Sequence, residues 1–90
     1  MTMPPDGWEA RGRPASWFRR FTFAKYAETR QFLDDLAALS AETGLHPQNL
    51  NFATTHANIT LEGVDQQEPG EAERAFALKI NALAATRAGP

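Results

Sequence analysis

Twenty consecutive residues, KYAETRQFLDDLAALSAETG from Lys25 to Gly44, set the first constraint on this chain. Thr29, Phe32, Leu33, Leu36, Leu39 and Thr43 recur at steps of three and four, the spacing that gathers side chains on one face of an α-helix. Glu28, Arg30, Asp34, Asp35 and Glu42 fall mostly off that stripe. A helix with one apolar face needs a second layer to cover it. Its end is also written in the sequence: Gly44 takes a positive φ without a Cβ penalty, and Pro47 cannot continue a helix. His46 therefore belongs to a tight connection leaving the helix.

The covering layer is a sheet. Trp8 to Arg11 reads as a short strand, and RGRP supplies a turn at Gly12 and Pro14. In SWFRRFTF, Ser16 to Phe23, the residues Trp17, Arg19, Phe21 and Phe23 share one parity, which sets the three aromatics on the core face. Beyond the helix, Leu50 and Phe52 alternate, and so do Ala57, Ile59 and Leu61, with His56, Asn58, Thr60 and Glu62 on the opposite face. These are two strands joined near Thr54–Thr55. EAERAFALKINALAA reads as a second helix, with Ala72, Phe76, Ile80 and Leu83 on its buried stripe and Glu71 and Glu73 favouring its N-terminal dipole. The predicted architecture is α+β: a four-stranded antiparallel sheet with two helices packed on one face, in the order β-β-α-β-β-α. Residues 7–85 form the domain, and residues 1–6 and 86–90 are expected to be flexible termini.

A chain of 90 residues is one small domain with a limited core, for which oligomerisation is a natural supplement. It has no cysteine, hence no disulfide or thiolate chemistry, and two separated histidines do not make a zinc site. No apolar run approaches the roughly 20 residues of a membrane span, and MTMPPDGW lacks a signal-peptide pattern, so an intracellular soluble protein is expected. The net charge of −2 gives no reason to expect direct nucleic-acid contact. Against that background Arg11, Arg13, Arg19 and Arg20 cluster near the start. They read either as a solvated basic edge that guards strands against mispairing or as a docking surface for an acidic partner.

Glu42 and His46 stand four apart around the helix end. A carboxylate beside an imidazole can raise its pKa and poise it to exchange a proton near neutral pH, as general acid/base work requires, but a lone loop histidine is more often a local capping or solvated residue. There is no glycine-rich phosphate loop, nucleophile elbow or metal-ligand pair. No cofactor and no metal are expected.

At AETGLHPQNLNFATTHANITL and EAERAFALKIN the chain resembles the pterin-4a-carbinolamine dehydratases, over most of residues 8 to 83. Trp8 and FRRFTF, the ITL run, and Glu73, Phe76, Ala77, Ile80 and Asn81 also fit the family pattern. The resemblance implies dimers in which two sheets join edge to edge into one saddle-shaped sheet. It also implies three histidines around the substrate, and here the sequence departs. LHP replaces the paired histidines before proline, leaving His46, and the third position falls at or near Val64, beside Glu62. Carbinolamine dehydration needs an acid for the leaving hydroxyl and a base for the ring proton, each contributing about 10²–10⁴-fold, so losing two of three groups should reduce turnover greatly.

A narrower resemblance runs from Tyr26 to Leu61, through Glu28-Thr29-Arg30, Phe32-Leu33, Leu39-Ser40, Glu42-Thr43-Gly44, Pro47 and Phe52. It is similar to the pterin-dehydratase-like proteins of α-carboxysome operons, which assist RuBisCO assembly. This implies an assembly chaperone for RuBisCO large subunits, in a bacterial cytoplasm and associated with carboxysomes, rather than an enzyme. The alternative is a surviving pterin-4a-carbinolamine dehydratase with His46 as acid/base and Glu42 orienting it. The expected remnant pocket comprises His46, Pro47, Asn51 and Glu62. The expected partner contacts are Arg11, Arg13, Arg19 and Arg20.

Overall fold

The structure is a computed structural model that describes residues 3–12, 15–63 and 68–88, so Arg13 and Val64 lie outside the described residues. The order is β1 (Glu9–Arg11), β2 (Ser16–Thr22), α1 (Tyr26–Thr43), β3 (Asn49–Phe52), β4 (His56–Leu61) and α2 (Glu71–Ala88). The strands form one antiparallel sheet in the order β1-β2-β4-β3. The second hairpin thus inserts β4 beside β2 and leaves β3 at one edge.

Alternation decides which side of the sheet each residue serves. Trp17, Phe21, Ala57, Ile59 and Leu61 are buried and meet Phe32, Leu36 and Leu39 of α1 and Phe76, Ala77, Ile80 and Ala84 of α2. Phe32 is the centre of an aromatic cluster, with its ring centroid 5.2 Å from those of both Phe21 and Phe23. Trp8 closes the cluster edge-on to Phe21 at 5.9 Å. At the opposite face the β2–β4 pairs are Phe18 with Thr60, Arg20 with Asn58 and Thr22 with His56, which leaves a polar, open sheet surface.

The helix ends follow from local chemistry. The Glu28 carboxylate accepts hydrogen bonds from the backbone N–H groups of Ala24 (3.0 Å) and Lys25 (3.2 Å), ahead of α1. Gly44 ends α1 at φ 75°, with its N–H donating to the Ser40 carbonyl at 2.8 Å. Before α2, the Gly70 N–H donates to Glu73 at 2.7 Å, so this acidic side chain caps the helix as well as favouring its dipole.

The buried stripe of α2 differs from the sequence expectation. Phe76 and Ile80 are buried and Leu83 is half-buried, but Ala72 is exposed, and Ala77 and Ala84 are buried instead. In the first turn the inward positions are Glu73 and Arg74, which are tied to Gly70 and to the Met3 carbonyl. The N-terminal segment, which has no sequence pattern, makes specific contacts too: Pro5 is buried, and the Trp8 N–H donates to its carbonyl at 3.1 Å.

Candidate functional site

Three places gather the residues of interest. The first is a cavity of about 380 Å³ between α1 and the connection into β3, lined by Leu33, Leu36, Ala37, Ser40, His46, Pro47 and Leu50. Its position follows from the end of α1. Gly44 turns the chain, the Thr43 hydroxyl donates to the Leu39 carbonyl and accepts from the Leu45 N–H, and Leu45 packs against the core. The turn carries His46 and Pro47 over the last turns of the helix. The cavity is mainly apolar, with the imidazole as its one ionisable lining group.

Glu42 and His46 are both exposed, and among the described residues no hydrogen bond or ion pair joins them. His56 lies half-buried at the start of β4, opposite Thr22, while His46 precedes β3. The two histidines therefore occupy opposite ends of the β3–β4 hairpin, and one chain does not bring them to a common substrate. Among the described residues no group of three or more His, Cys, Asp or Glu side chains could hold a metal ion.

The second place is the open sheet face. Asn51 and Glu62, expected beside His46, lie here rather than in the α1 cavity. Asn51 pairs with Asn58 across β3 and β4, and Glu62 is exposed just past the end of β4. A row of side chains crosses three strands: Arg20 Nε donates to Asn58 Oδ1 at 2.8 Å, and Asn58 Nδ2 donates to Asn51 Oδ1 at 2.8 Å. Arg11 shares this face. It stacks 4.3 Å from the Phe18 ring centroid and makes an exposed 3.2 Å ion pair with Glu9.

The third place explains Arg19, which does not belong with Arg11 and Arg20. Its parity carries it to the helix side, where its guanidinium lies 4.5 Å from the Phe21 ring centroid. Its Nη1 donates to the Asp6 carbonyl at 3.0 Å and to Asn81 Oδ1 at 2.8 Å. Burial disfavours the charged guanidinium and lowers its pKa, and the nearby Asp6 carboxylate offsets part of this. Asn81 Oδ1 also accepts from Trp8 Nε1 at 2.8 Å, and Asn81 Nδ2 donates to the Asp6 carbonyl at 3.2 Å. This junction borders a smaller cavity of about 200 Å³ between β2 and α2. The four-arginine cluster is thus divided: two lie on the open face, one is a buttress beneath α2, and Arg13 lies outside the described residues.

These arrangements suit binding better than acid/base chemistry. The α1 cavity offers an apolar recess with one imidazole, and the open face offers oriented polar groups. Asn58 and Asn81 carry much of the polar geometry; Asn81 closes the family pattern of the last helix, but nothing in the sequence marked either side chain as a hydrogen-bond junction. The usable signals were the parity of Asn58 with His56 and Thr60 and the position of Asn81 on α2.

No protein-family model matches the sequence, and no curated protein matches it. Solved structures do match. One is a pterin dehydratase-like protein identified as a RuBisCO assembly factor in the alpha-carboxysome. It is 57% identical, with a TM-score of 0.81, over 88% of this chain and 90% of that one. Another is a transcriptional coactivator/pterin dehydratase from Brucella melitensis, 24% identical with a TM-score of 0.80, over 89% of this chain and 84% of that one. At that identity the second match speaks for the fold alone.

Proposed function

The chain belongs to the pterin dehydratase-like family, and from that membership we propose that it is a RuBisCO assembly factor. One observation carries the reading: 57% identity across nearly the whole domain with a protein identified in that role. The physical layout supports it. A single imidazole in an apolar recess supplies one proton-transfer group, whereas carbinolamine dehydration needs an acid and a base placed together. In this reading the protein holds RuBisCO large subunits during assembly, in the cytoplasm of a bacterium that builds alpha-carboxysomes.

Co-expression tests it directly. With RuBisCO subunits in a heterologous host, this protein is expected to raise the yield of assembled RuBisCO. Unchanged yield and subunit state would refute the proposal. Turnover of freshly generated 4a-carbinolamine should stay at the uncatalysed rate. Turnover well above it that disappears in His46→Ala would put the dehydratase reading in its place.

The working unit in this proposal is a homodimer. Edge strand β3 carries Leu50, 39% exposed, and Phe52, 56% exposed, on the helix side of the sheet, and an apolar edge of unpaired backbone is a ready template for another strand. Sedimentation at micromolar concentration should give twice the monomer mass and revert toward one in Phe52→Lys. A monomer in the unaltered protein would refute it.

A further inference from the structure

The Arg20–Asn58–Asn51 row has a polarity fixed by chemistry. A guanidinium can only donate hydrogen bonds, so Asn58 must turn its oxygen toward Arg20 Nε. That orientation points Asn58 Nδ2 at Asn51, which must present its own oxygen. One acceptor oxygen of each asparagine is thereby engaged within the row. The N–H groups left over are the Nη groups of Arg20, the second N–H of Asn58 and both N–H groups of Asn51, and they outnumber the one free lone pair that each amide oxygen keeps. The row spans β2, β4 and β3, about 10 Å across at ordinary strand spacing.

Its charge is also uncompensated. Among the described residues, Arg11 is paired with Glu9 and Arg30 with Asp34, while Arg20 has no carboxylate partner. Two carboxylates among the described residues share the open face. Glu9, diagonal to Arg20 across β1 and β2, is engaged by Arg11. Glu62 lies four residues along β4 from Asn58, about 13 Å at strand rise, beyond the screening length of about 8 Å at physiological salt. The local chemistry is donor-rich and cationic on a chain of net charge −2.

We propose that this row is a carboxylate-reading surface, on which acidic side chains of a partner polypeptide dock across the open sheet face. It rests on the reading that the protein works by holding another protein. Arg20 and Asn51 are exposed, so a small anion there would keep its water and bind weakly. A polypeptide that covers the face displaces that water and makes the oriented guanidinium effective. A nucleic-acid backbone fits poorly, because it calls for several uncompensated cations and this row has one.

Two probes test the surface on the full chain. In the first, binding of RuBisCO large subunit is compared for the unaltered protein, Arg20→Ala, Arg20→Lys and Asn51→Asp. Binding should weaken by about tenfold or more in Arg20→Ala and Asn51→Asp, with Arg20→Lys in between because it keeps the charge but loses the planar fork. Thermal midpoints should not move, since both side chains are exposed. Equal binding by all four proteins would overturn the surface and leave the RuBisCO reading standing. If the unaltered protein does not bind RuBisCO, that reading falls, and the second probe decides the surface. An octaglutamate peptide is titrated while the side-chain N–H resonances of Arg20, Asn51 and Asn58 are followed by NMR. Shifts centred on those signals and lost in Arg20→Ala support the proposal. The absence of such shifts overturns it, and so does tighter binding of a single-stranded oligonucleotide than of the peptide.

Discussion

Replacing Asn81 by alanine should cost far more stability than a half-buried asparagine on a helix normally does. Asn81 Oδ1 serves two donors, Trp8 Nε1 and Arg19 Nη1, each at 2.8 Å, and Nδ2 holds the Asp6 carbonyl at 3.2 Å. Trp8 is only 6% exposed, so its indole N–H would be left without an acceptor, at about 1–3 kcal/mol. Arg19 would keep the Asp6 carbonyl and can recruit water, so its loss is about 0.5–1 kcal/mol. The bond from Nδ2 is longer and adds a similar amount. Together these give about 2–5 kcal/mol, a fall in Tm of roughly 8–40 °C for a domain of this size. Asn81→Asp keeps the acceptor and should lose less. Denaturant unfolding of Asn81→Ala, Trp8→Phe and the double variant should show a coupling of about 1 kcal/mol. A single-variant loss below about 0.5 kcal/mol, or strict additivity, would refute the assignment of Asn81 as the junction.

Phe32→Ala should remove about 3–5 kcal/mol, because the residue is fully buried between Phe21 and Phe23, and a loss under about 1.5 kcal/mol in denaturant titration would show that the cluster collapses to fill the space. Gly44→Ala should cost about 1–2 kcal/mol, for a different reason: nothing lies within 4 Å of an added Cβ, so the whole cost is the left-handed backbone at φ 75°. An unchanged unfolding midpoint would mean that α1 ends differently in solution.

The fold was readable because its elements use strong and distinct periodicities. Trp17 and Phe21, with Phe23 just past the strand end, state the inward face of β2, and the Thr29-to-Thr43 stripe with Gly44 and Pro47 states both the face and the end of α1. In α2 the contrast is poor. Alanine is common on both sides, so Ala72 and Ala77 cannot be told apart before packing chooses between them. The sites were less readable because they depend on strand register. Arg20, Asn58 and Asn51 come from three strands, and a slip of one residue in any pairing would dissolve the row. Arg19 shows the same effect from the other side. Neighbours in sequence suggested a basic patch, while strand parity sent it beneath α2 to Asn81, 62 positions away.

The Trp8–Asn81 bond joins positions 73 residues apart, nearly the full span of the domain. During synthesis that has a temporal meaning. At about 5–20 residues per second, Trp8 leaves the peptidyl-transferase centre several seconds before its acceptor has been polymerised. From the moment they emerge from the ribosome, its indole, the Arg19 guanidinium and the edge of the first hairpin wait without the helix that will cover them. The nascent chain is therefore most exposed to misassociation just before its last helix is complete, and ribosome stalling ahead of position 81 would prolong that window.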